Sequence, residues 1–220
     1  MLPLLKYHVR SIFVRWRATG ATILGLALVV AVFVVLQALA IGIESASAST
    51  GDPRNFLVVR QGAMAETTSI VTREQYNIIR YQDCIARDAA GQPLATADVH
   101  VILNLPRRDA AGNGNVLLRG VSPQALALRP QVQLVDGRWF QPGRREAVVS
   151  RRLAARFADM QLGGSFKSGG VTLTVVGHFD AGRTAFDSEI WIDADEARGA
   201  FDRPDFSSVL VRTASPEAAA

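Results

Sequence analysis

The chain begins with a long apolar segment that carries no charge. Residues 18–43 read ATGATILGLALVVAVFVVLQALAIGI. A helix of these 26 residues would extend about 39 Å, at about 1.5 Å per residue. Because a hydrocarbon core of about 30 Å needs about 20 apolar residues, the pattern predicts one transmembrane helix over residues 18–43.

A cleaved signal peptide is the alternative interpretation of this segment. Ala46-Ser47-Ala48 provides the small residues that a signal peptidase site requires. However, the apolar region of a signal peptide is only about 7–15 residues long. The much longer apolar run therefore favours a retained anchor.

The charges on either side of the apolar segment predict its orientation. The first 17 residues contain basic side chains and no acidic one, whereas the other flank begins with Glu44 and has its first arginine at Arg54. The basic residues are Lys6, Arg10, Arg15 and Arg17. Since Lys and Arg are enriched on the cytoplasmic side, the N-terminus is predicted to be cytoplasmic. Residues 1–17 are also predicted to be an amphipathic surface helix, with an ordinary basic signal-like region as the alternative.

The rest of the chain alternates between short apolar runs and turn residues. Residues 44–55, which include the small polar stretch SASASTGDP, are predicted to be a linker. Residues 56–220 are predicted to form one extracytoplasmic domain that is long enough to bury a core. The irregular order of strands and short helices in this region favours an α+β domain over a doubly wound sheet.

Apolar periodicity and turn signals place the elements of this domain. The predicted strands cover 56–60, 98–105, 116–121, 131–135, 146–150, 171–179, 189–192 and 207–212. The predicted helices cover 72–81, a turn after Pro123, 151–158 and 194–201. Thr72 and Gln75 have the spacing of a capping box, and Gly169-Gly170 predicts the turn before the strand at 171–179.

The charge distribution argues against a nucleic-acid partner. The protein has 24 Lys and Arg residues and 20 Asp and Glu residues. The four basic residues before Glu44 account for the whole excess, so residues 44–220 are formally neutral. A nucleic-acid-binding domain would need a basic patch on its folded part. The single cysteine, Cys84, cannot form an internal disulfide and is expected to be a buried structural side chain.

No stretch of the sequence has the pattern of a catalytic, cofactor or metal site. Residues 163–168 lack the spacing of a phosphate-binding loop, and Gly112-Asn113-Gly114 is typical of a turn. Asp193, Asp195 and Glu196 lie at a predicted helix start, where the helix dipole favours carboxylates, so capping is expected there. Arg151-Arg152 is expected to be a solvated face. We assign no catalytic, cofactor-binding or metal-binding residue and expect a binding or mechanical protein, not an enzyme.

Five stretches of the predicted domain carry a resemblance to a known family. They are VLLRGVSPQALALRP (116–130), LVDGRWFQPGR (134–144), EAVVSRRLAARFADMQLG (146–163), VTLTVVGHF (171–179) and SEIWID (188–193). In this order, behind a basic tail and one apolar helix, they resemble the N-terminal half of MacB/FtsX-type ABC transporter permeases. That half consists of the first transmembrane helix and a MacB-like periplasmic core domain.

The resemblance implies a function in transport that depends on partners. Such permeases work with a cytoplasmic ABC ATPase subunit, which would bind ATP in place of this chain, and they act as homo- or heterodimers. ATP-driven movement of the helices would reshape the periplasmic domain by mechanotransmission, so that a lipoprotein, peptide or amphiphile is exported or extracted. The resemblance also implies a single-pass location in the bacterial inner membrane, contact with membrane lipid and a periplasmic adaptor as a further partner.

The sequence departs from this family in one respect. The family has three more transmembrane helices after the periplasmic domain, whereas this sequence stops at Ala220. It is interpreted as a fragment, a truncated product or a stand-alone half, and transport by this chain alone is not expected. Two alternatives come from other classes: a membrane-anchored periplasmic binding or adaptor protein without an ATPase, and a secreted enzyme with an uncleaved signal.

Overall fold

The computed structural model describes residues 16–109, 112–182 and 184–215. The chain divides into two units, residues 1–48 and residues 49–220, and the second is called the sheet domain below. The amphipathic tail predicted over residues 1–17 lies almost entirely outside the described residues.

The first unit is built on helix α1, which spans Trp16–Thr50. Its portion Trp16–Ile43 is long and apolar enough to cross a membrane, and its large apolar side chains are exposed. The helix does not stop at Ile43 but continues through residues 44–50, which the sequence analysis assigned to a linker. The reason is that this stretch contains alanines and no helix-breaking residue until Gly51 and Pro53.

The sheet domain contains nine strands and four short α-helices among the described residues. The strands are β1 (Asn55–Val58), β2 (Ala95–Pro106), β3 (Asn113–Val121), β4 (Gln133–Gly137), β5 (Glu146–Ser150), β6 (Ser165–Ser168), β7 (Val171–Asp180), β8 (Glu189–Asp193) and β9 (Ser208–Arg212). The helices are α2 (Arg73–Arg80), α3 (Ala125–Leu128), α4 (Arg151–Ala154) and α5 (Ala194–Ala200), with 3₁₀ turns at Glu66–Thr68 and Ala185–Ser188. The predicted α+β class is confirmed.

All nine strands belong to one mixed sheet. Its order is β1-β9-β2-β3-β8-β5-β7-β4, and β6 pairs with β7 beside this path. The pairs β3–β8 and β5–β7 are parallel, and the other pairs are antiparallel. The first and last strands are neighbours, since Asn55 pairs with Arg212 in register.

The central strands are buried on both faces of the sheet. Ile190 and Ile192 of β8 pack into one apolar cluster, whereas Trp191 between them packs into a second. Strand β5 shows the same division, with Ala147 and Val149 on one side and Val148 on the other. Because successive side chains of a strand point to opposite faces, the two clusters cover the two faces. This explains why both strands are continuous apolar runs in the sequence.

The largest departures from the predicted elements are helix α4 and strand β6. Helix α4 ends at Ala154 instead of residue 158, because the chain then pairs with the end of β2: Arg108 N–H donates to Arg156 O, and Ala158 N–H donates to Pro106 O, both at 3.0 Å. The second difference is β6, a strand that the sequence analysis did not predict. It forms a hairpin with β7 through Gly169 and Gly170, whose φ angles of 58° and 80° suit a two-residue turn.

Candidate functional site in the sheet domain

Arg119, in the middle of β3, is buried between two carboxylates. Its Nε and Nη2 donate to the two carboxylate oxygens of Glu189, at 2.8 and 2.7 Å. Its Nη1 donates to the Asp98 carboxylate at 3.0 Å. Burial alone would lower the pKa of Arg119, but the two carboxylates raise it above its ordinary value. Arg119 therefore stays charged inside the sheet domain and joins β2, β3 and β8.

A second buried guanidinium, that of Arg129, completes the pairing of Asp98. Its Nη2 donates to the same carboxylate oxygen that Arg119 contacts. The guanidinium also lies over the rings of Phe186 and Trp191, with its central carbon 5.5 and 5.7 Å from the ring centroids. Burial raises the pKa of Asp98, but the charges of Arg129 and Arg119 together lower it by more. The pKa of Asp98 therefore lies below its ordinary value. Asp98 is thus a fully buried anion held between two cations.

Glu66 and His100 extend this network toward the surface. The Glu66 carboxylate accepts a hydrogen bond of 2.6 Å from Ser208 and lies 3.6 Å from Arg119 Nη1. His100 Nε2 lies 3.5 Å from the same carboxylate, but it makes no hydrogen bond. Burial, with the neighbouring Arg119 charge, lowers the pKa of His100 to about 3. His100 is therefore neutral at pH 7, and its contact with Glu66 is not an ion pair.

The network fixes the relative positions of segments that are far apart in sequence. Its charged members are Glu66, Asp98, Arg119, Arg129 and Glu189. A buried ion pair adds little net stability compared with apolar packing. Removing one partner, however, leaves the other charge buried and unpaired, which costs about 3–5 kcal/mol of stability. The network therefore holds these five segments in one arrangement.

An apolar groove lies between the end of β1 and helix α2. Its volume is about 400 Å³. It is lined by Val58, Val59, Arg60, Gln61, Ile70, Val71, Gln75, Ile78 and Ile79. Helix α2 is fixed beside it by the predicted capping box, in which Gln75 N–H donates to Thr72 Oγ1 at 3.2 Å and Thr72 N–H donates to Gln75 Oε1 at 2.9 Å. The aliphatic lining suits an apolar chain.

The sequence of residues 19–220 matches a family described as the MacB-like periplasmic core domain. The chain belongs to this family. It contains the periplasmic domain of a MacB/FtsX-type ABC transporter permease, preceded by an apolar helix. The resemblance that the five sequence stretches indicated is thereby confirmed.

Two solved structures share the fold of this MacB-like domain. The extracellular domain of the noncanonic ABC-type transporter YknZ from Gram-positive bacteria aligns with a TM-score of 0.54 and 19% identity, over 74% of this chain and 83% of that chain. The periplasmic region of MacB from Actinobacillus actinomycetemcomitans aligns with a TM-score of 0.55 and 13% identity, over 76% of this chain and 77% of that chain. No curated protein is significantly similar to the chain in sequence.

Of the acidic residues near α5, Asp193 caps the helix as the sequence analysis expected. Asp193 is the N-cap, and its carboxylate accepts a hydrogen bond of 3.2 Å from Glu196 N–H. Asp195 is exposed and pairs with Arg198 at 2.8 Å and with Arg73 at 3.1 Å. Helix capping and surface pairing account for these side chains.

Arg151, Arg152 and Cys84 lie outside the buried network. Arg151 and Arg152 are exposed, at 3.6 Å from Asp180 and 3.8 Å from Asp187 respectively. Cys84 is half-buried and packs against the larger apolar cluster, so the expected full burial is only partly realised.

Sequence reasoning missed the buried network of the MacB-like domain altogether. Its members come from five segments, and no local spacing connects them. The signal in the sequence is that Asp98 and Arg119 are the only residues with a formal charge in β2 and β3. A charge at such a position has to find a partner inside the fold.

Proposed function

We propose that the chain forms part of an ABC transporter permease in which a cytoplasmic ATPase drives movement of the MacB-like domain. The partner binds and hydrolyses ATP, and α1 crosses the inner membrane with its N-terminus in the cytoplasm. The observation that carries this proposal is the family match over residues 19–220, because it takes in most of α1 together with the whole sheet domain.

The construction of the sheet domain supports a mechanical role. Both faces of its central strands are buried, and the ion network joins strands, a 3₁₀ turn and the residue after α3. Close-packed interiors transmit displacement because they resist compression. A movement applied at one edge would therefore reach the rest of the domain with little internal deformation.

The substrate class proposed is a lipoprotein, peptide or small amphiphile. The apolar groove beside α2 supports this, since it exposes aliphatic side chains such as Ile70 and Ile78, with relative exposures of 47% and 58%. Its volume of about 400 Å³ falls in the range of ligand sites, about 300–1,000 Å³.

Distance measurements between spin labels test the mechanical proposal. The permease polypeptide that carries this chain is purified with the ABC ATPase expressed alongside it, in a Cys84→Ser background. Met64 is fully exposed, so Met64→Cys provides a labelling site that leaves the core intact. In a permease dimer, the distance between the two labels is expected to change when a non-hydrolysable ATP analogue is added.

The control is the same complex with an ATPase variant that cannot bind nucleotide, in which the distance should stay constant. An unchanged distance in both complexes would contradict mechanotransmission. If no ATPase co-purifies at all, the result would favour the membrane-anchored binding or adaptor protein instead.

A further inference from the structure

A basic cleft lies on the sheet domain where the end of β2 meets the segment after α4. The larger of two adjoining cavities has a volume of about 210 Å³ and is lined by Arg107, Asp109, Ala155, Arg156 and Phe157. The smaller, of about 60 Å³, also includes Arg107, Arg156 and Phe157 in its lining. Both cavities therefore share the same two guanidinium groups.

The two guanidinium groups of this cleft have no partner among the residues that the structure describes. Neither Arg107 nor Arg156 makes a side-chain hydrogen bond or an ion pair with any described residue. By contrast, Arg108 beside them donates to Ala154 O at 3.1 Å, and Arg152 lies 3.8 Å from Asp187. The free pair thus has its donors available for an external ligand.

The backbone brings together the two segments that carry these arginines. Arg107 and Phe157 form an antiparallel bridge, flanked by the hydrogen bonds of Arg108 with Arg156 and of Ala158 with Pro106. Gly114 lies beneath them: a Cβ at this position would come within 3.1 Å of both Arg107 Nε and the Phe157 ring. The absence of a side chain at Gly114 therefore leaves room for both the Arg107 side chain and the Phe157 ring.

The local charge favours an anion. The segments 106–109 and 151–156 contain five arginines and one acidic residue, Asp109. Asp180 pairs with Arg151 and Asp187 pairs with Arg152, and Asp187 also lines the smaller cavity. The five arginines therefore exceed these three carboxylates by two charges. Clustering like charges is unfavourable unless an external anion compensates them. The planar guanidinium fork matches the geometry of phosphoryl oxygens and can donate two parallel hydrogen bonds.

We propose that this cleft binds a phosphoryl group through Arg107 and Arg156. A phosphoryl group fits better than a carboxylate for two reasons. Its charge, close to −2, is complementary to the two arginine cations. Its three terminal oxygens can accept hydrogen bonds from both guanidinium groups. The phosphoryl group comes either from a lipid headgroup or from a free phosphate, and the experiment distinguishes these two sources.

Side-chain NMR of the full chain in a non-ionic detergent tests the proposal. The Nε–H resonances of arginine are followed while inorganic phosphate is added. The Arg107→Gln and Arg156→Gln variants should each raise the half-saturating phosphate concentration roughly five- to tenfold. Because Asp109 repels an anion in the same cleft, Asp109→Asn should lower that concentration, roughly two- to threefold.

Arg60 provides the matched control. It is also exposed and without a side-chain partner among the described residues, but it lines the apolar groove instead. Arg60→Gln removes the same charge from the domain and should leave phosphate binding unchanged. Equal loss in the Arg60 and Arg107 variants, or unchanged binding in the Arg107 and Arg156 variants, would overturn the proposal. Acetate that saturates at the same concentration as phosphate would also overturn it.

Short-chain lipids identify the source of the phosphoryl group. Dihexanoyl phosphatidic acid is titrated next to inorganic phosphate, with dihexanoyl phosphatidylcholine as the neutral comparison. Tighter binding of the phosphatidic acid than of phosphate, lost in the Arg107→Gln variant, would support the site and assign it to a lipid headgroup. If phosphatidic acid binds no more tightly than inorganic phosphate, the result would support the site and assign it to a free phosphate.

Discussion

Arg119 is the residue whose replacement should cost the sheet domain most. In Arg119→Gln, the carboxylates of Glu189 and Asp98 lose charged donors at 2.7–3.0 Å while they remain buried. We expect the free energy of unfolding to fall by about 3–5 kcal/mol. Urea unfolding, followed by the fluorescence of the buried Trp191, measures this change.

The control for this prediction is Arg73→Gln. Arg73 pairs with Asp195 at 3.1 Å, but both side chains are mostly exposed. Its replacement should cost at most about 1 kcal/mol. Similar losses in the two variants would show that the buried network contributes no more than a surface pair.

His100 should make stability depend on pH in a defined direction. Its folded-state pKa is lowered to about 3 by burial and by Arg119, whereas an unfolded histidine has a pKa of about 6.5. Between these values the unfolded chain binds the proton and the folded chain does not. His100 therefore contributes stability that is complete above pH 6.5 and is lost as the pH falls, by about 1.4 kcal/mol per unit.

The comparison with His100→Gln isolates this contribution. Carboxylates also titrate in acid, but they do so in both proteins. The plot of unfolding free energy against pH should be flatter in the variant between pH 6 and pH 4. Parallel plots would mean that His100 is protonated in the folded domain.

At the residue scale, the sequence predicted local interactions and missed distant ones. The capping box of Thr72 and Gln75 and the N-cap of Asp193 follow from spacings of three residues. The partners of Arg119 lie 21 and 70 residues away. Only the folded sheet brings them together, so no local pattern could have identified them.

At the scale of elements, the most apolar strands were the most predictable. Strand β5 has the predicted bounds, because a short apolar run with two β-branched valines, flanked by Glu146 and Arg151, favours a buried strand. Strand β6 was missed because four residues, SFKS, with one buried side chain give almost no periodicity. Helix α4 was predicted too long because local propensity favours helix through residue 158, whereas pairing with β2 competes with it.

The packing of α5 on the sheet depends on a glycine in β3. A Cβ added at Gly120 would lie 2.5 Å from Ala197 Cβ and 3.1 Å from Ala194 Cα. Gly120→Ala should therefore push α5 away and lower the free energy of unfolding by about 1–3 kcal/mol. Adding Ala197→Gly should relieve part of the clash, so the double variant should lose less stability than the sum of the single losses.

Gly199 serves as the comparison for this prediction. It lies in the same helix, and nothing would come within 4 Å of a Cβ there. Gly199→Ala should leave stability unchanged or raise it by up to about 1 kcal/mol, through helix propensity. Strict additivity of Gly120→Ala and Ala197→Gly in thermal unfolding would refute the close contact.

For the whole molecule, the charged flanks of α1 make a prediction about topology. A reporter enzyme that works only in the periplasm, fused after residue 60, should be active in the wild-type chain. Replacing Lys6, Arg10, Arg15 and Arg17 with glutamine removes the positive flank and should reduce this activity, since the basic residues orient the helix. Equal activity with and without the four charges would argue that other features set the orientation.

The pairing of β1 with β9 has a mechanical consequence. Asn55, at the start of the sheet domain, lies opposite Arg212 near its end, and Arg212 Nε donates to Asn55 Oδ1 at 2.8 Å. Asp52 lies 3.4 Å from the same guanidinium. The first and last strands of the sheet domain, β1 and β9, thus lie next to each other at one edge of the sheet. A pull on either end would tilt or lift the domain as a rigid lever, and would not stretch it between two anchors.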